Sequence, residues 1–467
     1  MTAEVRETDV VVIGAGPVGE NVADRVVRGG LEAVLVESEL VGGECSYWAC
    51  MPSKALLRTG AAERAARAVG VAGGRVDPDA VLRRRDGFAS GWDDSGQAEW
   101  VLGAGIGLVR GHARLSGERR VTVSSEDGDV ELVARHAVVV ATGTAALLPD
   151  IPGLREAEPW TSREATSLQS VPARVVIVGG GVVAVEAATF LSDLGADVTV
   201  LARSGLLKAF EPFAGERVGD ALRERGVVVR EASPVRVTRD GDGVHVEIEV
   251  GEVVDADEIV VATGRVPRTE DLGLETVGLE PGSWLDVDDT LRVRGVDWLS
   301  ATGDVNHRAL LTHQGKYQAR AAGDVVVARA RGLDIDDAPW GAHAATADHT
   351  AVPQVVFTDP EVASVGLTAA QAEESGIRAR VVDYDLGSVA GASLTADGYS
   401  GAARIVVDED RRVLVGVTFV GPGVGELLHA ATIAIVGEVP IERLWHAVPS
   451  YPTVSEVWLR LLEAYGL

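Results

Sequence analysis

Short, unbroken apolar runs that stop at glycine dominate the hydrophobic pattern of this chain. Residues 8–14 read Thr-Asp-Val-Val-Val-Ile-Gly, a short buried strand that runs straight into Gly14-x-Gly16-x-x-Gly19. A helical stretch to Gly29-Gly30 follows, then a second strand over 33–36 closed by Glu37. This is the strand–turn–helix–strand unit that binds dinucleotides. The device recurs over 175–201: an apolar strand, Gly179-x-Gly181-x-x-Ala184, a helix ending at Gly195 and a strand over 198–201. Gly14 and Gly30 are as far apart as Gly179 and Gly195, and the position of Glu37 in the first copy is that of Ala202 in the second. One glycine-rich turn is a weak signal, because such turns also serve packing. Two in the same register predict a chain built to hold two dinucleotides.

The copies differ where specificity is set. A carboxylate at Glu37 can accept the hydrogen bonds of an unphosphorylated ribose diol. In the second copy Ala202 removes the acid, Arg203 follows, and Lys208 lies a few residues on. A guanidinium there can bind a 2′-phosphate bidentately. The first site is therefore expected to take FAD or NAD and the second NADPH; the plainer alternative for Arg203 is a solvated surface arginine. Two further strands end in Ala-Thr-Gly, at Thr142-Gly143 and Thr263-Gly264, and Gly303-Asp304 precedes a helix expected over 311–330. Glycine at such strand ends allows close backbone approach to a ligand. Beyond about residue 350 the texture changes to alternating strands (355–358, 362–365, 403–407, 413–420) and two helices (425–436, 453–465), which predicts a third, α+β domain. Residues 60–110 have helical spacing and no catalytic signature.

Composition narrows the function classes. A chain of 467 residues suggests two to four domains, and 46% hydrophobic with 24% charged residues is ordinary for a soluble protein. No apolar run approaches a membrane span, and MTAEVRETDV lacks a signal-peptide layout, so a cytoplasmic protein is expected. The net charge of −27 would repel nucleic acid and anionic lipid. Two cysteines, Cys45 and Cys50, cannot form a structural disulfide framework; spacing alone leaves them as two buried thiols or a redox couple. Among the 43 basic residues only Lys54, Lys208 and Lys316 are lysines. In a chain that writes Arg for most positive charges, a retained Lys points to a need for ammonium geometry or chemistry. No metal site is expected.

The segment Gly42-Gly43-Glu44-Cys45-Ser46-Tyr47-Trp48-Ala49-Cys50-Met51-Pro52-Ser53-Lys54 resembles the active-site segment of the flavoprotein (pyridine nucleotide) disulfide oxidoreductases, the family of mercuric reductase, dihydrolipoamide dehydrogenase and glutathione reductase. The resemblance extends to the glycine-rich turns, Gly303-Asp304, the stretch 357–366 and Pro452-Thr453-Val454-Ser455-Glu456. It implies an α/β chain with two Rossmann-type domains, for FAD (1–155 and 280–345) and NADPH (156–279), and a C-terminal α+β dimerisation domain (346–467). It implies Cys50 as the thiol beside the flavin and Cys45 as the outer interchange thiol. Lys54 would sit by the flavin, paired with Glu186, and Asp304 would bind the ribityl chain; otherwise Glu186 is a solvated helix position and Asp304 a cap. The helix after Leu311 would direct its positive end at the flavin.

Departures from the family pattern shape the expected function. Disulfide reductases carry a His-Pro-Thr segment whose histidine, held by a glutamate, protonates the leaving thiol across the dimer interface. Here the position is Tyr451, with Glu456 retained, and a phenol is a poor base at neutral pH. His446, upstream, reads as a surface or packing histidine, the alternative being a substitute for the missing imidazole. The sequence ends Glu463-Ala-Tyr-Gly-Leu467 without the cysteine pair of mercuric reductases, which argues against mercury reduction. Tyr47, Trp48 and Ala49 are expected to crowd Cys45. The reading is a homodimeric NADPH:FAD oxidoreductase with a redox-active Cys45–Cys50 pair and a small disulfide or quinone-like acceptor. The alternatives are a diaphorase with a vestigial or regulatory disulfide and a slow flavin redox sensor.

Overall fold

A computed structural model describes residues 4–126, 128–249 and 251–467. The chain divides into two compact units. The first contains the segment up to Pro52, Asp86–Ala146 and Arg265–His349. Its central strand, Glu4–Ile13, lies parallel between Ala33–Glu37 and Val130–Val140. Gly107–Arg110 extends the parallel sheet beyond Ala33–Glu37, and Leu299–Ala301 pairs with Val130–Val140. Arg120–Ser124 and His112–Gly117 continue it as an antiparallel meander. The continuous apolar run of the central strand follows from burial on both faces. Val11 and Ile13 join one core with Val138 and Val140, while Val10 and Val12 join the opposite core with Val139 and Leu35.

Helix Pro17–Arg28 crosses one face and packs closely on helix Thr312–Ala330. Glycines permit that approach: a Cβ at Gly323 would fall 2.6 Å from Arg25 Cβ. A short 3₁₀ turn, Gly303–Asn306, precedes the second helix.

The second unit contains Ser53–Arg85, Leu147–Gly264 and Thr350–Leu467. A four-stranded parallel sheet runs Val228–Arg230, Asp197–Leu201, Arg174–Val178, Glu258–Val261. Helix Val182–Asp193 follows its third strand in that order and is buried along most of its length, as its low charge requires. An antiparallel sheet of Pro234–Asp240, Gly243–Ile248 and Val253–Ala256, absent from the sequence reading, buries Val244, Val246 and Ile248 in strict alternation. Five antiparallel strands form the C-terminal sheet, in the order Pro353–Val356, Glu361–Gly366, Val413–Gly421, Ala402–Asp408, Ala379–Asp385.

The helices expected over 425–436 and 453–465 both open as 3₁₀ turns, Val424–Leu427 and Val454–Glu456, before Leu428–Val436 and Val457–Tyr465. The helical spacing of 60–110 resolves into Cys50–Arg67, Pro78–Phe88 and Ser95–Gly103, then ends in strand Gly107–Arg110. Among the described residues no helix is long and apolar enough to cross a membrane.

Candidate functional site

In the first unit the turn after the central strand is shaped as a phosphate cradle. Gly14 adopts φ +100°, and a Cβ there would fall 2.5 Å from the carbonyl oxygen of Ala141, so only glycine closes the turn. A Cβ at Gly19 would lie 1.9 Å from the Gly14 carbonyl oxygen, which fixes the helix against the strand end. Gly16 differs: its nearest neighbour would be Gly43 Cα at 3.9 Å, leaving the backbone open to a ligand. Gly43 opens the next helix, Gly43–Tyr47, beside it.

Glu37 turns its carboxylate onto this turn, with Oε2 accepting from the Ala15 amide at 2.7 Å. Burial raises its affinity for a proton, opposed by amide donors from Glu39 and Ala15. The hydroxyls of Thr142 and Thr302, at two strand ends, are buried without hydrogen-bond partners among the described residues. A cradle open at Gly16, an acid facing it and two orphaned hydroxyls fit a bound dinucleotide that brings its own polar atoms.

Asp304 accepts a hydrogen bond from Thr144 Oγ1 at 2.8 Å; burial pushes its carboxyl up, while Thr144 and Arg265 oppose that shift. Arg265 donates to Thr144 Oγ1 at 2.9 Å and to Glu44 Oε2 at 2.5 Å, and so ties Gly43–Tyr47 to the strand end. Gly143 holds φ +69° with open space around it.

The two cysteines meet in this unit. Cys45 lies on helix Gly43–Tyr47 and Cys50 opens helix Cys50–Arg67. Cys50 Sγ is 3.3 Å from Thr312 Oγ1, either group being able to donate, at the first turn of helix Thr312–Ala330. The Cys45 side chain hydrogen-bonds to Cys50, and that contact, then burial, holds its thiol proton far more tightly than an ordinary thiol; Thr312 and Lys316 pull the other way.

Tyr47 corrects an expectation. It does not crowd Cys45 but turns inward, 1% exposed, donating its hydroxyl to the Val41 carbonyl at 3.0 Å. Its edge-to-face contact with Trp48 forms part of that packing.

The second unit brings Lys54 and Glu186 together. Lys54 Nζ donates to Glu186 Oε2 at 2.7 Å and lies 5.0 Å from the Phe357 ring centre. Glu186 is 5% exposed, and its other oxygen accepts from the Phe357 amide at 2.9 Å. The second glycine turn repeats the first. A Cβ at Gly179 would fall 2.2 Å from the Ala262 carbonyl oxygen, Gly181 has open space, and Ala184 is fully buried at the helix–strand contact. Ala202 is buried beneath Gly180, 3.0 Å from where a Cβ of that glycine would lie. The next loop folds back, with the Leu207 amide donating to the Gly180 carbonyl at 2.8 Å. Arg203 and Lys208 stand exposed on that loop. Gly264 closes its strand at φ +152°.

The structure does not join Tyr451 to Glu456. Tyr451 is 76% exposed, whereas Glu456 is buried and takes a 2.6 Å hydrogen bond from Arg460. His446 is exposed. Sequence reasoning missed Glu44, Thr144, Arg265 and Thr312, which act through contacts between distant segments. Thr144 and Arg265, each directly after an Ala-Thr-Gly turn, and Glu44, directly before Cys45, carried a positional signal.

Comparison with known proteins agrees with this geometry. The pyridine nucleotide-disulphide oxidoreductase profile matches residues 8–329, and that family's dimerisation domain matches 352–461. The chain is 34% identical over 474 residues to a dihydrolipoyl dehydrogenase of Haloferax volcanii, covering 98% of this chain and 96% of the relative. It is 30% identical over 460 residues to a mercuric reductase of Staphylococcus aureus, covering 96% and 80%. The HOCl-induced flavoprotein disulfide reductase RclA of Escherichia coli, solved as a Cu(II) complex, shares the fold at TM-score 0.85 and 23% identity over 98% of this chain and 99% of that one. With two glycine-rich turns, a paired Cys45 and Cys50 and these matches, the chain belongs to the pyridine nucleotide-disulphide oxidoreductase family, whose enzymes use FAD and a pyridine nucleotide.

Proposed function

We propose that this enzyme moves electrons from NADPH through FAD to the Cys45–Cys50 pair and on to a small acceptor. The observation that carries the reading is the Cys45–Cys50 contact with Thr312 at a helix N-terminus. Bound at the glycine turn of the first unit, FAD would supply the two-electron chemistry that links the nicotinamide to the cysteine pair. The protein's own groups do the rest. Thr312 and its helix end favour the thiolate of Cys50. Cys45 keeps the shared proton at rest and, once that proton is lost to solvent, is the sulfur offered to an acceptor. Glu186 fixes the Lys54 ammonium, and Asp304 with Thr144 presents a polar edge to the cofactor chain. In this reading 1–155 with 280–345 hold FAD, 156–279 hold NADPH, and 346–467 form the interface of a homodimer. Exposed Ile433, Trp445, Val448 and Tyr451 in that last segment supply apolar surface for a second copy.

A phenol at position 451, unconnected to Glu456, favours acceptors that need no proton from the protein. A quinone can take its proton from solvent, whereas a departing thiolate gains about 10²–10⁴-fold from a positioned acid. Steady-state turnover with quinones, glutathione disulfide and lipoamide tests this: quinones are expected to be fastest, and dominant disulfide turnover would overturn it.

The NADPH assignment rests on Ala202 and the Arg203 loop. NADPH is expected to exceed NADH by at least about tenfold in kcat/KM, equivalent to about 1.4 kcal/mol, a modest demand on one charge-assisted phosphate contact. Arg203→Ala should remove most of that preference and leave NADH kinetics nearly unchanged. A wild type that prefers NADH would contradict the assignment.

A further inference from the structure

Of the three lysines in this arginine-rich chain, Lys316 has no place in the reading above. It stands on helix Thr312–Ala330 one turn after Thr312, whose hydroxyl contacts Cys50 Sγ, and residues four apart share a helix face. Gly315 presses this turn onto Val18: a Cβ there would fall 2.6 Å from Val18 Cγ2. Val18 belongs to the first turn of helix Pro17–Arg28, which also carries Glu20. Helix Gly43–Tyr47, with Cys45, completes the cluster, since a Cβ at Gly43 would lie 2.8 Å from Gly16 Cα.

Three helix starts thus bring together an ammonium, a carboxyl and the two sulfurs. Lys316 has no carboxylate within ion-pair distance among the described residues, and Glu20 Oε1 is buried there without a hydrogen-bond partner. The charged and titratable groups around Glu20 are Lys316, Glu37 and the Tyr47 phenol, and those around Cys45 are Cys50 and Lys316. Burial first, then Glu37, pushes the Glu20 carboxyl up to about 7 against the pull of Lys316.

We propose that Lys316 is a positioning residue that holds the thiolate form of the reduced Cys45–Cys50 pair, and that Glu20 governs how much of that positive charge the sulfurs feel. The proposal rests on the pair being the redox couple. Two electrons from the nicotinamide break the S–S bond, and the sulfurs take up one proton from water, leaving one thiol and one thiolate. The ammonium favours the thiolate. When Glu20 is neutral the ammonium acts unopposed; when Glu20 ionises it cancels part of that field, so the two residues push the sulfurs in opposite directions.

The test is the pH dependence of cysteine alkylation by iodoacetamide, in which the thiolate displaces iodide. Alkylation of both sulfurs is followed by peptide mapping on anaerobic FAD-loaded enzyme reduced either by dithionite or by NADPH, and the midpoint read is that of the first sulfur to become reactive. Lys316→Met should raise the pH midpoint by about one unit, a tenfold loss of reactivity at fixed pH below it, and Lys316→Arg should restore it. Glu20→Gln should lower the midpoint by about half a unit. A purely structural role for either residue would not produce shifts of opposite sign. The proposal is overturned if Lys316→Met leaves the midpoint within about 0.2 units of wild type, or if Lys316→Met and Glu20→Gln move it the same way. Should Lys316→Met fail to fold, Glu20→Gln decides alone: a lowered midpoint supports the proposal and an unchanged or raised one overturns it. If dithionite but not NADPH releases an alkylatable Cys45, the proposed electron path fails, and the dithionite arm still tests the lysine.

Discussion

Cys45→Ser should cost at least about 10³-fold in kcat/KM for any small disulfide while leaving quinone reduction within about threefold of wild type. Attack on a disulfide needs a thiolate that forms a mixed disulfide, and a serine hydroxyl cannot supply one. Cys50 does not substitute, because its sulfur is engaged with Thr312 and Cys45. A quinone needs only electrons and solvent protons, so it is indifferent to the outer sulfur. Parallel assays with lipoamide and a benzoquinone read the split directly. Equal losses with both acceptors would mean that Cys45 supports the cofactor site rather than the interchange.

Glu186→Ala should destabilise the second unit by about 3 kcal/mol. The carboxylate is buried and satisfies two donors, Lys54 Nζ and the Phe357 amide. Its removal strands a buried N–H and an ammonium beside an aromatic ring. The side chain of Lys54 is 35% exposed, so water recovers part of the ionic loss and the figure lies at the low end for a broken buried pair. Glu186→Gln keeps an acceptor for Phe357 and should cost about half as much. Thermal and urea unfolding of the two variants measure both numbers, and an Ala variant as stable as wild type would show that the pair is held by its surroundings.

The parts of this molecule legible in the sequence are those set by local backbone demands. Gly14 and Gly179 mark turns that a Cβ would block, and the matched spacing of the two copies exposed Ala202 and Arg203 as a difference rather than noise. The Lys54–Glu186 pairing came from family resemblance joined to lysine scarcity, and the observed 2.7 Å contact links residues far apart in the chain. What the sequence hid depends on tertiary packing. Tyr47 sits between the cysteines in sequence, yet its phenol turns to the Val41 carbonyl, because a helix of five residues presents one face inward whatever its motif. Glu456 keeps its family position, but one of its oxygens is taken by Arg460 one turn on, and the other is buried without a hydrogen-bond partner among the described residues. The strand Gly243–Ile248 carries a period-two pattern, Val244-x-Val246-x-Ile248, too short to stand out beside the glycine turns.

The most direct test of the central claim, a redox couple between Cys45 and Cys50 working with FAD, is an anaerobic reductive titration of the holoenzyme with thiol counting. The account predicts that wild type consumes about two two-electron equivalents per FAD, one for the flavin and one for the cysteine pair. The first equivalent should release two alkylatable thiols and produce a long-wavelength absorbance from Cys50 thiolate beside the flavin, and Cys45→Ser should consume about one equivalent. A wild type that takes up a single equivalent, releases no new thiols and shows no such absorbance would contradict it.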